Sequence, residues 1–348
     1  MNWPERGATP SEARPACTLS LDLDDRWTYL KTHGDSSWEG FPSYLEIVVP
    51  RILRLIEEHS LRITFFIVGQ DAAFQRNAAV LRSIAAAGHE IGNHSFHHEP
   101  WLHLYSRTKI HDELARAEEN IEQATGKRPH GFRGPGFSVS ETVADVLAAR
   151  GYYYDASTLP TFLGPLARAY YMWTAKLDPE EKKERARLFG RWRDGLRPLK
   201  PWFWTTPSGV IAELPVTTMP IVRTPFHLSY LIWLASYSPA IARTYLRAAL
   251  GLCRAAGIAP SFLLHPLDFL GPDEAPDLAF FPGMKQSLDS KLQLARFAIQ
   301  TLQERHRVLA MEDFAAEQFA VPVTADLAGG AHRPPVSVVR GFKEETGK

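Results

Sequence analysis

The sequence predicts an α/β protein: a parallel sheet wrapped by helices. Two observations carry this. Short apolar runs alternate along the chain with segments whose apolar residues recur at helical spacing. The residues able to do chemistry also fall where those runs end, which is where barrel enzymes build active sites.

In chain order, residues 18–23 read as a strand closing on Leu21-Asp22-Leu23-Asp24-Asp25, and residues 44–59 place Leu45, Val48, Val49, Ile52, Leu55 and Ile56 on one helical face. Strand 62–68, helix 74–87 and strand 89–93 follow. A long helix over 108–125 stops at Gly126. Strands 131–133 and 152–154 flank a helix over 140–150, with Ser140 as its N-cap and Gly151 as its stop. Strands 210–215 and 261–264 enclose a helix over 240–256. Helix 288–304 and strand 308–311 close the series.

The 348 residues suit one barrel domain, and 39 basic against 39 acidic side chains argue against nucleic acid as a partner. Cys17 and Cys253 have no metal-binding spacing and read as buried thiols. Residues 1–16 read as a tail without a secretory apolar stretch, the apolar run 226–237 is too short to span a bilayer, and residues 321–348 read as a flexible tail. A cytoplasmic protein is expected, peripheral at most on the inner membrane face.

Histidines cluster in Gly88-His89-Glu90-Ile91-Gly92-Asn93-His94-Ser95-Phe96-His97-His98. If the chain turns helical at His94, then His94 and His98 lie one turn apart on one face and can grip a single cation. A third, anionic ligand is then required. Asp22 and Asp24 point to the same side of the first strand, so one can bind metal while its neighbour handles protons. Asp25 reads as solvent-facing.

Five motifs in this order resemble the polysaccharide deacetylase family, the NodB-like carbohydrate esterases, in an Asp-x-Asp variant. They are Asp22 to Asp25, His94-Ser95-Phe96-His97-His98, Arg133-Gly134-Pro135-Gly136-Phe137, Tyr154-Asp155 and Leu264-His265-Pro266, with Thr64 to Gly69 resembling a core strand. The resemblance implies a distorted parallel (β/α) barrel of about seven strands over residues 17–320. It also implies a divalent metal cofactor, zinc by first choice, held by Asp24, His94 and His98. Asp22 would be the general base, His265 the acid, Arg133 a bidentate partner holding Asp22 ionised, and Asp155 an orienting residue. Asp25 competes for either aspartate role, and His97 competes with His98.

Over about 160–209 the alternation breaks into an aromatic and basic insertion, expected to be helical. Lys182, Lys183, Arg185, Arg187, Arg191, Arg193, Arg197 and Lys200 interleave there with Trp173, Trp192, Trp202 and Trp204. Such a segment suits an anionic membrane surface or a lipid-linked sugar diphosphate, or simply packs its rings on the barrel. The run Glu213-Leu214-Pro215-Val216-Thr217 resembles family members acting on prenyl-phosphate-linked sugars. The expected activity is removal of an N-acetyl or N-formyl group from an amino sugar, lipid-linked or in a polysaccharide precursor. Two rivals remain: hydrolysis of a small cyclic amide or ureide on the same barrel, and a carbohydrate-binding barrel without turnover. Nothing in the sequence sets the oligomeric state.

Overall fold

The computed structural model describes residues 14–166, 169 and 192–319. The C-terminal tail, most of the N-terminal tail, and Trp173, Lys182, Lys183, Arg185, Arg187 and Arg191 of the insertion lie outside the described residues.

The centre of the sheet is β1 (Ala16–Leu23), buried along its whole length. Leu19, Leu21 and Leu23 alternate along it with Thr18, Ser20 and Asp22, and the polar face is buried because Ser20 and Asp22 hold Arg133. It pairs in parallel with β2 (Thr64–Ile67), with β8 (Ser261–Leu264) and, through Ala16, Cys17 and Thr18, with β9 (Arg307–Leu309). From β2 the parallel ladder runs through β3 (Glu90–Asn93), β4 (Gly131–Phe132) and β5 (Tyr154–Asp155) to β7 (Gly209–Glu213). The ninth strand, β6 (Trp202–Thr206), is antiparallel to β7. The described end of the insertion is therefore a strand and a hairpin. Its alternate residues are only half buried, so no uniform apolar run announces it.

Among the described residues no strand pair joins β7 to β8; an irregular segment closes the ring instead. The N–H groups of Leu214, Val216 and Thr217 donate to the carbonyls of Asp155, Thr158 and Ser261 at 2.8, 2.9 and 3.2 Å. Thr217 Oγ1 accepts the Ser261 N–H at 2.8 Å. Residues 214–217 thus satisfy backbone groups on both sides of the gap, and the barrel is distorted at this seam.

The helices wrap the sheet as the alternation predicts. They are α1 (Arg26–His33), α2 (Leu45–Glu58), α3 (Gly69–Ala73), α4 (Ala78–Ala86), α5 (Arg107–Thr125), α6 (Glu141–Ala149), α7 (Leu228–Ala235), α8 (Pro239–Ala255), α9 (Leu288–Arg305) and α10 (Met311–Phe319). Three of these (α1, α3 and α7) are too short for periodicity alone to reveal. Ser140 caps α6 through the Val143 N–H, and α5 ends on left-handed Gly126. Both cysteines are buried and free. No helix among the described residues is long and apolar enough to cross a membrane.

Under the sheet, Glu90 accepts hydrogen bonds from Tyr154 Oη at 2.6 Å, Thr64 Oγ1 at 2.5 Å and the Glu312 N–H at 3.0 Å. Burial, followed by the charge of Glu312, pushes its carboxyl from 4.5 up to about 7. A raised folded-state value means that the native state binds this proton more tightly than the unfolded chain does. The associated stability is complete below about pH 4.5 and is lost as pH rises through about 7. Thermal unfolding should accordingly show wild type losing stability across that window, with Glu90→Gln losing less. Parallel curves would assign the loss to other groups.

Candidate active site

The site forms where β1, β3, β4 and β8 end. Asp24 follows β1; His94 and His98 follow β3. Asp24 Oδ1 lies 3.3 Å from His94 Nε2 and 3.0 Å from His98 Nε2, and all three residues are buried. These are the three residues the spacing argument brings together, but not by a helix. Residues 94–99 form an irregular loop in which Ser95 (φ 62°) and His98 (φ 50°) are left-handed. The expected helical turn is corrected to this: two non-glycine residues at positive φ fold the loop back, so that the rings meet with centroids 5.0 Å apart.

The loop is tied down at each step. The Ser95 N–H donates to Asn93 Oδ1 at 2.8 Å, and the His98 N–H to Ser95 Oγ at 3.2 Å. The N–H groups of Phe96 and His97 both donate to Glu113 Oε2 at 3.1 Å. His97 Nδ1 also meets Glu113, which turns that ring away from Asp24 and leaves His98 as the second imidazole of the cluster.

The donor set suits a divalent cation. His94 Nδ1 lies 2.6 Å from the Arg133 carbonyl. A carbonyl only accepts, so Nδ1 carries the hydrogen and Nε2 turns its lone pair toward Asp24. Asp24 Oδ1 is buried without a hydrogen-bond partner, whereas Oδ2 accepts from Tyr29 Oη at 3.0 Å. A buried carboxylate oxygen facing two imidazole nitrogens is costly without a positive charge between them. Burial works against ionising Asp24, yet His98 and His94 outweigh it and hold its carboxyl well below the usual range. Burial likewise opposes charge on His94, where Asp22 and Asp24 prevail and raise it, and on His98, where burial wins and lowers it.

Asp22 sits beside this cluster on β1. Arg133, fully buried, donates through Nη1 to Asp22 Oδ1 at 2.7 Å and to Ser20 Oγ at 3.1 Å, and through Nε to the Ala156 carbonyl at 3.0 Å. Its guanidinium carbon stands 4.5 Å from the Phe66 ring centroid. The expected bidentate pair is corrected to a single-armed one, because the remaining donors are spent on the barrel wall.

Asp25 lies outside the group formed by Asp24, His94 and His98, and it does not face solvent. It is buried, it caps α1 by accepting the Arg26 N–H at 2.7 Å, and it accepts the Tyr44 N–H at 3.2 Å. Left-handed Gly34 ends the same helix, so the N-cap and C′ signals of Asp25 and Gly34 were legible although the helix was not expected.

Asp155 is buried at the end of β5, and none of its hydrogen bonds among the described residues reaches Asp22, Asp24 or the histidines. It accepts from Ser157 Oγ, which itself accepts the Gly134 N–H at 2.7 Å. Asp155 thus braces the backbone just after Arg133. A Cβ on Gly134 would lie 2.1 Å from the Ser138 carbonyl oxygen, so this turn requires glycine. Burial and then the charge of Glu213 push the Asp155 carboxyl well up, and burial raises that of Glu213 as well.

His265 follows β8, with Nδ1 3.1 Å from Ser229 Oγ and its N–H 2.9 Å from Asp268 Oδ2. Ser229 also hydrogen-bonds Asp268, whose carboxyl burial raises against the pull of His265. Tyr29 feels both Asp24 and Asp268, so the two ends of the site adjoin. His227, its ring centroid 5.9 Å from His265, is pushed down to about 3 by burial, then by His265 and Arg133, and stays neutral. Sequence reading passed over Ser229, Asp268, Tyr29 and His227. Asp268 alone had a local signal, a carboxylate three residues after His265 at a helix start.

The parallel barrel thus carries two imidazoles and a carboxylate together where its strands end. Residues 34–154 match the family model described as polysaccharide deacetylase, and over that segment the chain is similar to this family. The matched segment contains His94, His98 and Arg133; Asp22, Asp24, Asp155 and His265 lie outside it.

The peptidoglycan deacetylase of Helicobacter pylori is 30% identical over 114 residues, 33% of this chain and 38% of that protein. The chain spans about a third of the length of the curated relatives it matches. Across 97% of this chain and 98% of the other, the fold is similar to a Mycobacterium smegmatis protein assigned as a polysaccharide deacetylase, with a TM-score of 0.59 at 21% identity. It is also similar to the allantoinase PuuE over 93% of this chain and all of that one, with a TM-score of 0.55 at 17% identity.

Proposed function

We propose that this protein is a metal-dependent deacylase that removes an N-acetyl or N-formyl group from an amino sugar carried on a lipid or a polysaccharide precursor. The observation that supports this best is the meeting of Asp24, His94 and His98 beside the Asp22–Arg133 pair where the barrel strands end. Asp24, His94 and His98 would hold a divalent cation, zinc being the first choice for this donor set, which when bound would supply Lewis acidity for the acyl carbonyl and acidify water.

The chain's own groups do the rest. Asp22, held by Arg133, takes the proton of the attacking water. His265 protonates the departing amine. Ser229 Oγ, 3.1 Å from His265 Nδ1, holds the ring so that Nε2 is the atom that delivers the proton. Asp155 positions the Arg133 turn through Ser157 and Gly134. The peptidoglycan relatives supply the substrate class, an acetylated amino sugar. The PuuE likeness is one of fold and carries no ureide chemistry to this chain.

The test is acetate or formate release from N-acylated amino sugars, free and lipid-linked, before and after chelation and with zinc restored. Release that survives chelation refutes metal dependence, and no release from any of these substrates refutes the deacylase reading. Ser229→Ala should lower turnover by about tenfold, a part of the roughly 10²–10⁴-fold that general acid catalysis contributes, and leave zinc content unchanged. Unchanged turnover would remove Ser229 from the acid's support.

A further inference from the structure

We infer that one face beside the mouth of the site, made by residues 219–224, α7 and the start of α8, docks onto an anionic lipid bilayer. Four large apolar side chains stand out there: Ile221 is 83% exposed, Tyr237 72%, Val222 53% and Ile241 52%. They form one surface around Tyr245. The Tyr245 hydroxyl lies 2.6 Å from Thr224 Oγ1, which fixes the turn carrying Ile221 and Val222, and Ile241 precedes Tyr245 by one turn of α8. The Tyr245 ring centroid is 5.7 Å from that of Tyr230 on α7.

The turn is held in an unfavourable conformation to make this display. Ile221 (φ 74°) and Arg223 (φ 56°) are both left-handed, a region in which a β-branched residue such as Ile221 is an outlier. Strain spent on holding an isoleucine in solvent points to a partner that buries it.

Charge and composition select that partner. From Leu214 to Leu267 the chain has no Asp, Glu, Asn, Gln or Lys, while Arg223, Arg243, Arg247 and Arg254 are present. Surfaces that recognise sugars need carboxylates and amides to meet hydroxyl groups, and this segment has none. Exposed apolar and aromatic side chains with arginine as the only formal charge suit the boundary of an anionic bilayer. Arg223 is the cation nearest the exposed tip; it donates to the Arg197 carbonyl at 3.0 Å and pairs with no carboxylate among the described residues.

The face is continuous with the site. Ring centroids step from His265 to His227 (5.9 Å), Tyr230 (6.3 Å), Trp233 (5.3 Å) and Tyr237 (5.5 Å). A bilayer met at Tyr237 and Ile221 would leave the site mouth beside the lipid headgroups, where a lipid-linked sugar is presented. The inference rests on the deacylase reading only for this last point.

The test is sedimentation of the zinc-loaded full chain with vesicles of phosphatidylcholine containing phosphatidylglycerol, without substrate, so that its outcome is independent of any turnover. Wild type should sediment, and it should do so several-fold less with phosphatidylcholine alone. Replacing Ile221, Val222, Tyr237 and Ile241 together by Ser should weaken binding at least tenfold, with zinc content and thermal midpoint as controls of folding. Arg223→Glu alone should weaken binding to the anionic vesicles. Wild type that stays in the supernatant overturns the inference. So do a serine variant that binds equally well, equal binding to neutral vesicles, and a wild-type dimer that the serine variant makes monomeric while neither binds lipid.

Discussion

Asp24→Ala, His94→Ala and His98→Ala should each bind zinc at least a hundredfold more weakly than wild type and lose turnover with it. Even partners one shell removed from a metal typically contribute ten- to a hundredfold to affinity, so a direct ligand is expected to exceed about that range. The control is His97→Ala. Its ring is spent on Glu113, with Nδ1 against that carboxylate and its own N–H bound to the same side chain, so it should keep full zinc content. Elemental analysis after dialysis reads both outcomes. A His98→Ala protein that keeps its zinc, or a His97→Ala protein that loses it, would place the metal elsewhere.

This contrast shows where the sequence is legible and where it is not. The alternation of apolar runs fixes the parallel sheet, because strands buried on both faces leave little freedom in composition. The same placement of residues at strand ends brings Asp24, His94 and His98 to one spot. The helical spacing that suggested the pair is nonetheless absent. Ser95 and His98 at positive φ do the work of a helical turn, and a sequence carries no sign of that choice when neither residue is glycine or asparagine.

Asp25 shows the opposite case. Three aspartates within four residues look interchangeable, but only one precedes a helix, and helix capping decides its role. What no local pattern could reveal is contact made across the barrel. Ser229 lies on α7, and only the closing of residues 214–217 onto β8 brings that segment beside His265. The influence of Glu213 on Asp155 likewise depends on the register of β5 with β7.

Asp22→Asn should keep zinc and lower turnover by a factor of about a hundred or more, the contribution usual for a general base. The amide is nearly isosteric and can still accept one hydrogen bond from Arg133 Nη1, yet it cannot take a proton from water. It also leaves the Arg133 guanidinium fully buried without its counter-charge, a loss that can cost about 3–5 kcal/mol when one partner of a buried pair is removed. Thermal unfolding must therefore be measured beside turnover, at a temperature where the variant is still folded. Asp24→Asn is the matched comparison. Its Oδ1 faces both imidazoles and Oδ2 holds Tyr29, so this substitution should lose zinc while the Arg133 pair stays whole. The two variants separate base from ligand because each keeps what the other loses. If Asp22→Asn loses zinc and Asp24→Asn retains it, the roles are reversed. If both retain zinc and full turnover, neither aspartate takes part in the reaction and the barrel has another use.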